Sequence, residues 1–177
     1  MNIHKITLYN FKSFYGETVI DFDDLPGIWK VSGQIGAGKT TISEAIIFGI
    51  YGTVGGKNNK DLISWGEKHS TVKVLCTCLG KDIEIIRTIN SYGQSPLSIK
   101  INGQQLECPD KRNTQSVFES EYLDASRQIM EMMCIISFNS FKSLSSMDAK
   151  STQVFLDNMF GFGVLNEYIS IAKDAKY

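Results

Sequence analysis

Gly33-Gln34-Ile35-Gly36-Ala37-Gly38-Lys39-Thr40 is the stretch on which the reading of this chain turns. It fits the pattern G-x-x-x-x-G-K-[ST] of a phosphate-binding loop. Glycine reaches positive φ without a Cβ clash, so the backbone can wrap its N–H groups around an anion. A helix starting at the end of the loop points its positive N-terminus at the same anion. In such a loop Lys39 reaches the β- and γ-phosphates of a nucleotide, and the Thr40 hydroxyl ligates magnesium. Upstream, Ile28 to Ser32 reads as a short strand running into the loop. Downstream, Ile42, Ala45, Ile46, Gly49 and Ile50 recur at helical spacing. Ile47 and Phe48 make that helix apolar almost all round, as expected of one buried against a sheet. Strand, loop and helix supply the context the motif needs, so ATP with magnesium is the expected ligand.

Further out, Ile3 to Phe11 and Glu17 to Phe22 read as a β-hairpin, with the turn at Tyr15-Gly16. Residues 53–69 are polar and glycine-rich, a loop with one helical turn at Lys60-Asp61-Leu62-Ile63. Three strands follow, at Val72 to Leu79, Ile83 to Ile89 and Leu97 to Ile101. Leu79-Gly80-Lys81-Asp82 and Asn102-Gly103 are turn signals. Helical patterns cover Gln115 to Leu123, Ala125 to Met133 and Met147 to Phe160, the last capped by Ser145 or Ser146, with Asp148 near its positive end. After Gly161-Phe162-Gly163, the spacing of Val164, Tyr168, Ile171 and Ala175 has a coiled-coil rhythm. It lasts under two heptads, and taken alone reads as an amphipathic terminal helix. The class is α/β.

A length of 177 residues, 42% hydrophobic and 21% charged, suits one full core in an ordinary soluble globular protein. A net charge of -1 gives no global basic field, so nucleic-acid contact must come from local patches. Lys57, Lys60 and Lys68, with His69, form one such cluster in the loop after the glycine-loop helix. The four cysteines, Cys76, Cys78, Cys108 and Cys134, include no C-x-x-C pair, which argues against structural zinc. Cys76 and Cys78 sit two apart in a strand and are expected to be buried on one face. The absence of a signal peptide or an apolar run of ~18 residues points to a cytoplasmic chain with no membrane partner.

A phosphate-binding loop names a superfamily and leaves the reaction open. ATP hydrolysis needs a second magnesium-holding carboxylate at the end of an apolar strand. The nearest match, Val19-Ile20-Asp21, lies upstream in a half-polar strand. Leu144-Ser145-Ser146 only starts like a Leu-Ser-Gly-Gly signature. The sequence therefore carries half a catalytic site, and no catalytic residue is expected within it. A small kinase would need an arginine-rich lid, but the arginines are only Arg87, Arg112 and Arg127.

Ile6-Thr7-Leu8-Tyr9-Asn10-Phe11-Lys12-Ser13-Phe14, the glycine loop, Thr41 to Gly52, Leu62-Ile63 with Gly66, and Ile85-Ile86-Arg87 occur in an order that resembles the N-terminal half of the SMC-like ATPases. The resemblance is closest to the SbcC type and its phage recombination-exonuclease counterparts. It implies an ABC-type ATPase head: an N-terminal lobe over residues 1–160 with a mixed β-sheet, a P-loop helix, and a C-terminal helix leading toward a coiled coil from residue 161 to 177. It implies a nucleotide set of Lys12, Gly33, Gly36, Ala37, Gly38, Lys39, Thr40 and Thr41, with Thr40 on magnesium. Partners implied are the chain's own C-terminal lobe, a second copy closing on two ATP molecules, an SbcD-type nuclease and double-stranded DNA ends. RecN- or RecF-type repair proteins, defence nucleases with a similar head, and an ATP-dependent clamp with little turnover are the rival readings. Arg87 matches a family arginine, structural or DNA-facing. Two departures stand out. Ile35 replaces the usual asparagine, and Cys134 to Phe141 lacks the family's magnesium-sensing glutamine, leaving Asn139 or Ser137 as substitutes.

Overall fold

Ile6 and Leu8 alternate with Lys5, Thr7 and Tyr9, and this two-residue period places one apolar face of the first strand inward. The computed structural model describes residues 1–23, 27–28, 30–55, 57–92, 94–107, 113–123, 127–131, 147–160 and 162. Strand β1 (Asn2–Phe11) lies between β2 (Phe14–Asp21) and β3 (His69–Cys78). Strands β4 (Lys81–Asn90), β5 (Leu97–Ile101) and the short β6 (Gln104–Gln105) extend the sheet in the order β2-β1-β3-β4-β5-β6. Every pairing among these strands is antiparallel.

The strand expected at Ile28 to Ser32 does not form among the described residues. Ile28 is fully exposed, and Val31 is exposed as well. A strand is held by hydrogen bonds to a neighbour, and none of the six strands pairs with this segment. The parallel pairing that a mixed sheet requires is accordingly not seen among the described residues.

Two turn signals come out as read. Leu79 and Gly80 have φ of 50° and 72°, and Asn102 and Gly103 have 50° and 81°, as two-residue hairpin turns of the primed type demand. The first hairpin is different. Its turn is Lys12-Ser13, with Phe11 opposite Phe14, and not Tyr15-Gly16. Gly16 instead marks an irregularity within β2. The register shifts between Tyr9 and Phe11, Asn10 takes φ 50°, and its side chain accepts a bond from the Gly16 N–H at 2.8 Å. Glycine inside a strand commonly signals such a bulge.

Helix α1 (Lys39–Tyr51) covers the inner face of the sheet. Ala45, Phe48 and Ile50 pack with Ile6, Leu8, Val72, Val74, Ile83, Ile85 and Ile99 in the core, and the Phe11 and Phe48 rings lie 5.9 Å apart. Cys76 and Cys78 are buried on this face as expected. Gly49 is where the helix comes closest to the sheet, since a Cβ there would stand 2.5 Å from Val74 Cγ2. Gly52, at φ 79°, ends α1 by donating its N–H to Phe48 O at 2.8 Å. A 3-10 turn (Asn59–Leu62) buries Leu62, and α2 (Thr114–Tyr122) buries Phe118.

The chain divides into two compact units, Met1–Ser126 and Arg127–Tyr177. In the second, α3 (Arg127–Ile129) is a single turn, with Arg127 paired to Glu131 at 2.8 Å. Helix α4 (Ala149–Met159) starts at Asp148, whose carboxylate accepts the Ser151 N–H at 3.1 Å. The cap is therefore Asp148; Ser145 and Ser146 lie outside the described residues, as do Cys108, Cys134 and the segment 163–177 with its coiled-coil spacing. None of the described helices is long and apolar enough to cross a membrane.

Candidate nucleotide site

The glycine loop bends where its sequence permits. Gly36 and Gly38 take φ of 87° and 89°, conformations that a Cβ disfavours, and the Ala37 N–H donates to Gln34 O at 3.2 Å. Lys39 folds back over the loop, and its ammonium donates to Gly33 O at 2.8 Å and Gln34 O at 2.7 Å. The Ile42 N–H bonds Gly38 O, so the N–H groups of Lys39, Thr40 and Thr41 precede the first intrahelical bond. No side chain caps this end, and no acidic residue occupies its first turn. These are the donors and the positive dipole end that an anion takes up, so the residues present fit a nucleotide phosphate chain. The Thr40 hydroxyl-bearing side chain is exposed at the same end, and Ile35 is fully exposed.

The β1–β2 turn closes against the loop. A Cβ on Gly38 would stand 2.7 Å from Ser13 Oγ and 3.0 Å from the Phe14 ring. Ser13 Oγ also lies 3.4 Å from the buried Thr41 hydroxyl. Lys12 sits at the turn with φ 53°, and its N–H donates to Leu62 O at 3.0 Å. That bond, with a bridge between Phe11 and Ile63, ties the turn to the 3-10 segment.

The Lys12 ammonium is paired with Glu44, on the second turn of α1, and Lys57 pairs with the other oxygen of the same carboxylate. Burial alone raises a carboxyl's pKa. Here the hydrogen bonds and charges of Lys12 and Lys57 outweigh it, and Glu44 is held below its ordinary value of 4.5. The bond to Glu44 in turn raises Lys57 above 10.5. Lys60 and Lys68 are exposed on the same loop. The three lysines grouped by sequence are thus divided, Lys57 turned to the helix and the other two to solvent.

Arg87 is a buried structural residue, which removes the DNA-facing alternative. Only 5% exposed, it donates to Gly49 O at 3.3 Å, Ile50 O at 3.5 Å and Gln115 Oε1 at 2.6 Å, and lies over the Phe48 ring. Burial lowers its pKa to about 10, with the charge of Glu119 working the other way, and it stays charged at neutral pH. A cation at the C-terminal carbonyls of α1 complements the helix dipole. Sequence reasoning missed Glu44, Ser13 and Gln115 as site or support residues. For Glu44 the signal was present, since it is the one charged side chain among Ile42, Ala45, Ile46, Ile47 and Phe48. The stretch Cys134 to Phe141 lies outside the described residues. Among the described residues no group of three His, Cys, Asp or Glu side chains forms a metal cluster.

A family model described as an AAA domain matches residues 5–151. The chain belongs to the AAA-domain family. Within it the chain is of the SMC-like, SbcC/Rad50 type. It is 36% identical over 95 residues to the DNA double-strand break repair Rad50 ATPase of Thermoplasma volcanium, covering 54% of this chain and 10% of that protein. It is 42% identical over 48 residues to the SbcC component of the SbcCD nuclease of Treponema pallidum, covering 27% of this chain and 5% of that one. A solved structure of the recombination mediator RecF with ATP superposes with a TM-score of 0.50 at 21% identity, over 60% of this chain and 28% of that chain, a likeness of fold. The chain spans between 10% and 22% of the length of the first curated relatives it matches.

Proposed function

We propose that this chain is the nucleotide-binding lobe of a DNA-repair ATPase that works with a nuclease on double-stranded DNA ends. The observation that carries the reading is the loop itself: two left-handed glycines, Lys39, and the uncapped start of α1 converge on one anion site. In it, Gly33, Gly36, Ala37, Gly38, Lys39, Thr40 and Thr41 hold the phosphates of ATP, and Lys12 adds a cation from the neighbouring turn. Magnesium, held by Thr40, would neutralise phosphate charge. Support for the DNA-repair role comes from the relatives, two of whose names carry double-strand break repair and the SbcCD nuclease.

On this reading a C-terminal lobe supplies the signature motif and the magnesium carboxylate, and two heads close on two ATP molecules. That closure gates an SbcD-type nuclease. Lys60 and Lys68 are the DNA-phosphate candidates, while Lys57 is engaged on Glu44. The test is calorimetric titration of residues 1–177 with Mg-ATP, beside a steady-state ATPase assay. Weak binding with hardly any turnover is expected, and Lys39→Ala should reduce affinity by roughly tenfold or more, the scale of a charged hydrogen bond. Equal affinity in the Lys39→Ala chain sinks the site. Robust turnover by these residues alone sinks the division of the catalytic machinery between two lobes.

A further inference from the structure

Glu44 is a carboxylate with both oxygens taken. Oε2 receives Lys12 from the β1–β2 turn, and Oε1 receives Lys57 from the loop that follows α1. The Lys12 backbone is pinned through its N–H on Leu62 O, and the next two residues, Ser13 and Phe14, lie against Gly38. Its ammonium is therefore carried from a fixed pivot beside the first turn of the phosphate-binding helix, on a side chain 26% exposed, so a swing toward the loop needs only that side chain to move. The second lysine explains why such a swing is feasible. Removing the sole counter-ion of a buried carboxylate strands a charge and is strongly unfavourable. Here one cation can leave while the other stays.

We propose that Glu44 is an internal anion that competes with the nucleotide's phosphates for the Lys12 ammonium, Lys57 staying on Glu44 as the cation left behind. The inference rests on the nucleotide reading of the loop. It makes Glu44 a positioning residue that acts through Lys12 without touching the ligand. Only a ligand with enough negative charge at the loop draws Lys12 across, and that ligand binds more weakly by the cost of parting Lys12 from Glu44.

The experiment is calorimetric titration of Mg-ATP and Mg-ADP into the full 177-residue chain, its Glu44→Gln, Lys12→Ala and Lys57→Ala variants, and each of the first and third combined with Lys12→Ala. Freed of its competitor, Lys12 should tighten ATP binding in Glu44→Gln by on the order of fivefold, and ADP binding by less. Lys57→Ala should loosen ATP binding, because Glu44 then holds Lys12 as its sole partner. Both effects should vanish in the Lys12→Ala background. Glu44→Gln that binds ATP no tighter, or effects that persist without Lys12 as a through-space charge would produce, overturn the proposal. Should Glu44→Gln fail a circular-dichroism melt, the Lys57→Ala comparison with and without Lys12 decides it alone. A wild-type chain that binds no nucleotide overturns the site and this inference together. One that binds through Lys39 but shows no Glu44 or Lys57 effect overturns the inference only.

Discussion

Gly38→Ala and Gly36→Ala form a matched pair, because both positions have nearly the same backbone angle and very different surroundings. An L-residue held at φ near 88° loses roughly 1–2 kcal/mol to left-handed strain, and this applies at both, with φ of 87° and 89°. At Gly36 a Cβ meets nothing within 4 Å, so the strain is the whole effect. At Gly38 it would stand 2.7 Å from Ser13 Oγ and 3.0 and 3.1 Å from two Phe14 ring atoms, separations that require the turn or the helix start to move. Overpacking of this kind adds about 1–3 kcal/mol. Gly38→Ala is therefore expected to destabilise by about 2–5 kcal/mol in total and Gly36→Ala by about 1–2 kcal/mol. Urea unfolding of both variants measures the difference directly. Ser13→Ala combined with Gly38→Ala should recover part of the steric share and none of the strain. Equal losses at the two glycines, or no recovery with Ser13→Ala, would refute the claim that the β1–β2 turn is packed against the loop.

Two further outcomes are expected. Arg87→Ala removes the donors to Gly49 O and Ile50 O and leaves Gln115 short of a buried partner, so unfolding stability should fall by about 3 kcal/mol, the scale of broken charged hydrogen bonds; Arg87→Lys should not restore it, since a point charge cannot serve that spread of acceptors. Glu44 has its folded pKa below 4.5, so it contributes stability that is present above 4.5 and lost as pH falls through the folded value. The stability difference between wild type and Glu44→Gln should accordingly shrink from about pH 6 to about pH 3, and a difference constant across that range would contradict the ion-pair assignment.

Strands β3, β4 and β5 were legible because they combine a two-residue apolar period with turn residues that tolerate positive φ, so local and global preferences agree. Helix α1 was legible from its apolar periodicity. The Tyr15-Gly16 turn was misplaced because glycine in a strand and glycine in a turn look alike in sequence; only the pairing of Phe11 with Phe14 distinguishes them. The error matters for the site, because the true turn carries Lys12 and Ser13. The segment before the loop reads as a strand by composition, but a strand exists only with a neighbour, and composition does not supply one. The loop residues of the site follow from the motif. The Glu44 pairing with Lys12 and Lys57 joins three separate segments, and no local pattern encodes it.

The position of β1 in the sheet has a consequence for how the molecule comes into being. Ile6 pairs with Val74 on one side and Ile20 on the other, and α1 lies between these partners in sequence. As the chain is synthesised, the first hairpin can close early, by local contacts. The phosphate-binding helix then emerges before the ridge formed by Val72 and Val74, against which Gly49 seats, has been made. Contacts of such long sequence separation are slow to form, since the intervening chain must be ordered before they contribute. The first hairpin can hold the loop through Ser13 and Lys12, but the helix gains its seat on the sheet only once β3 has docked beside β1, so the finished anion site depends on completion of the sheet.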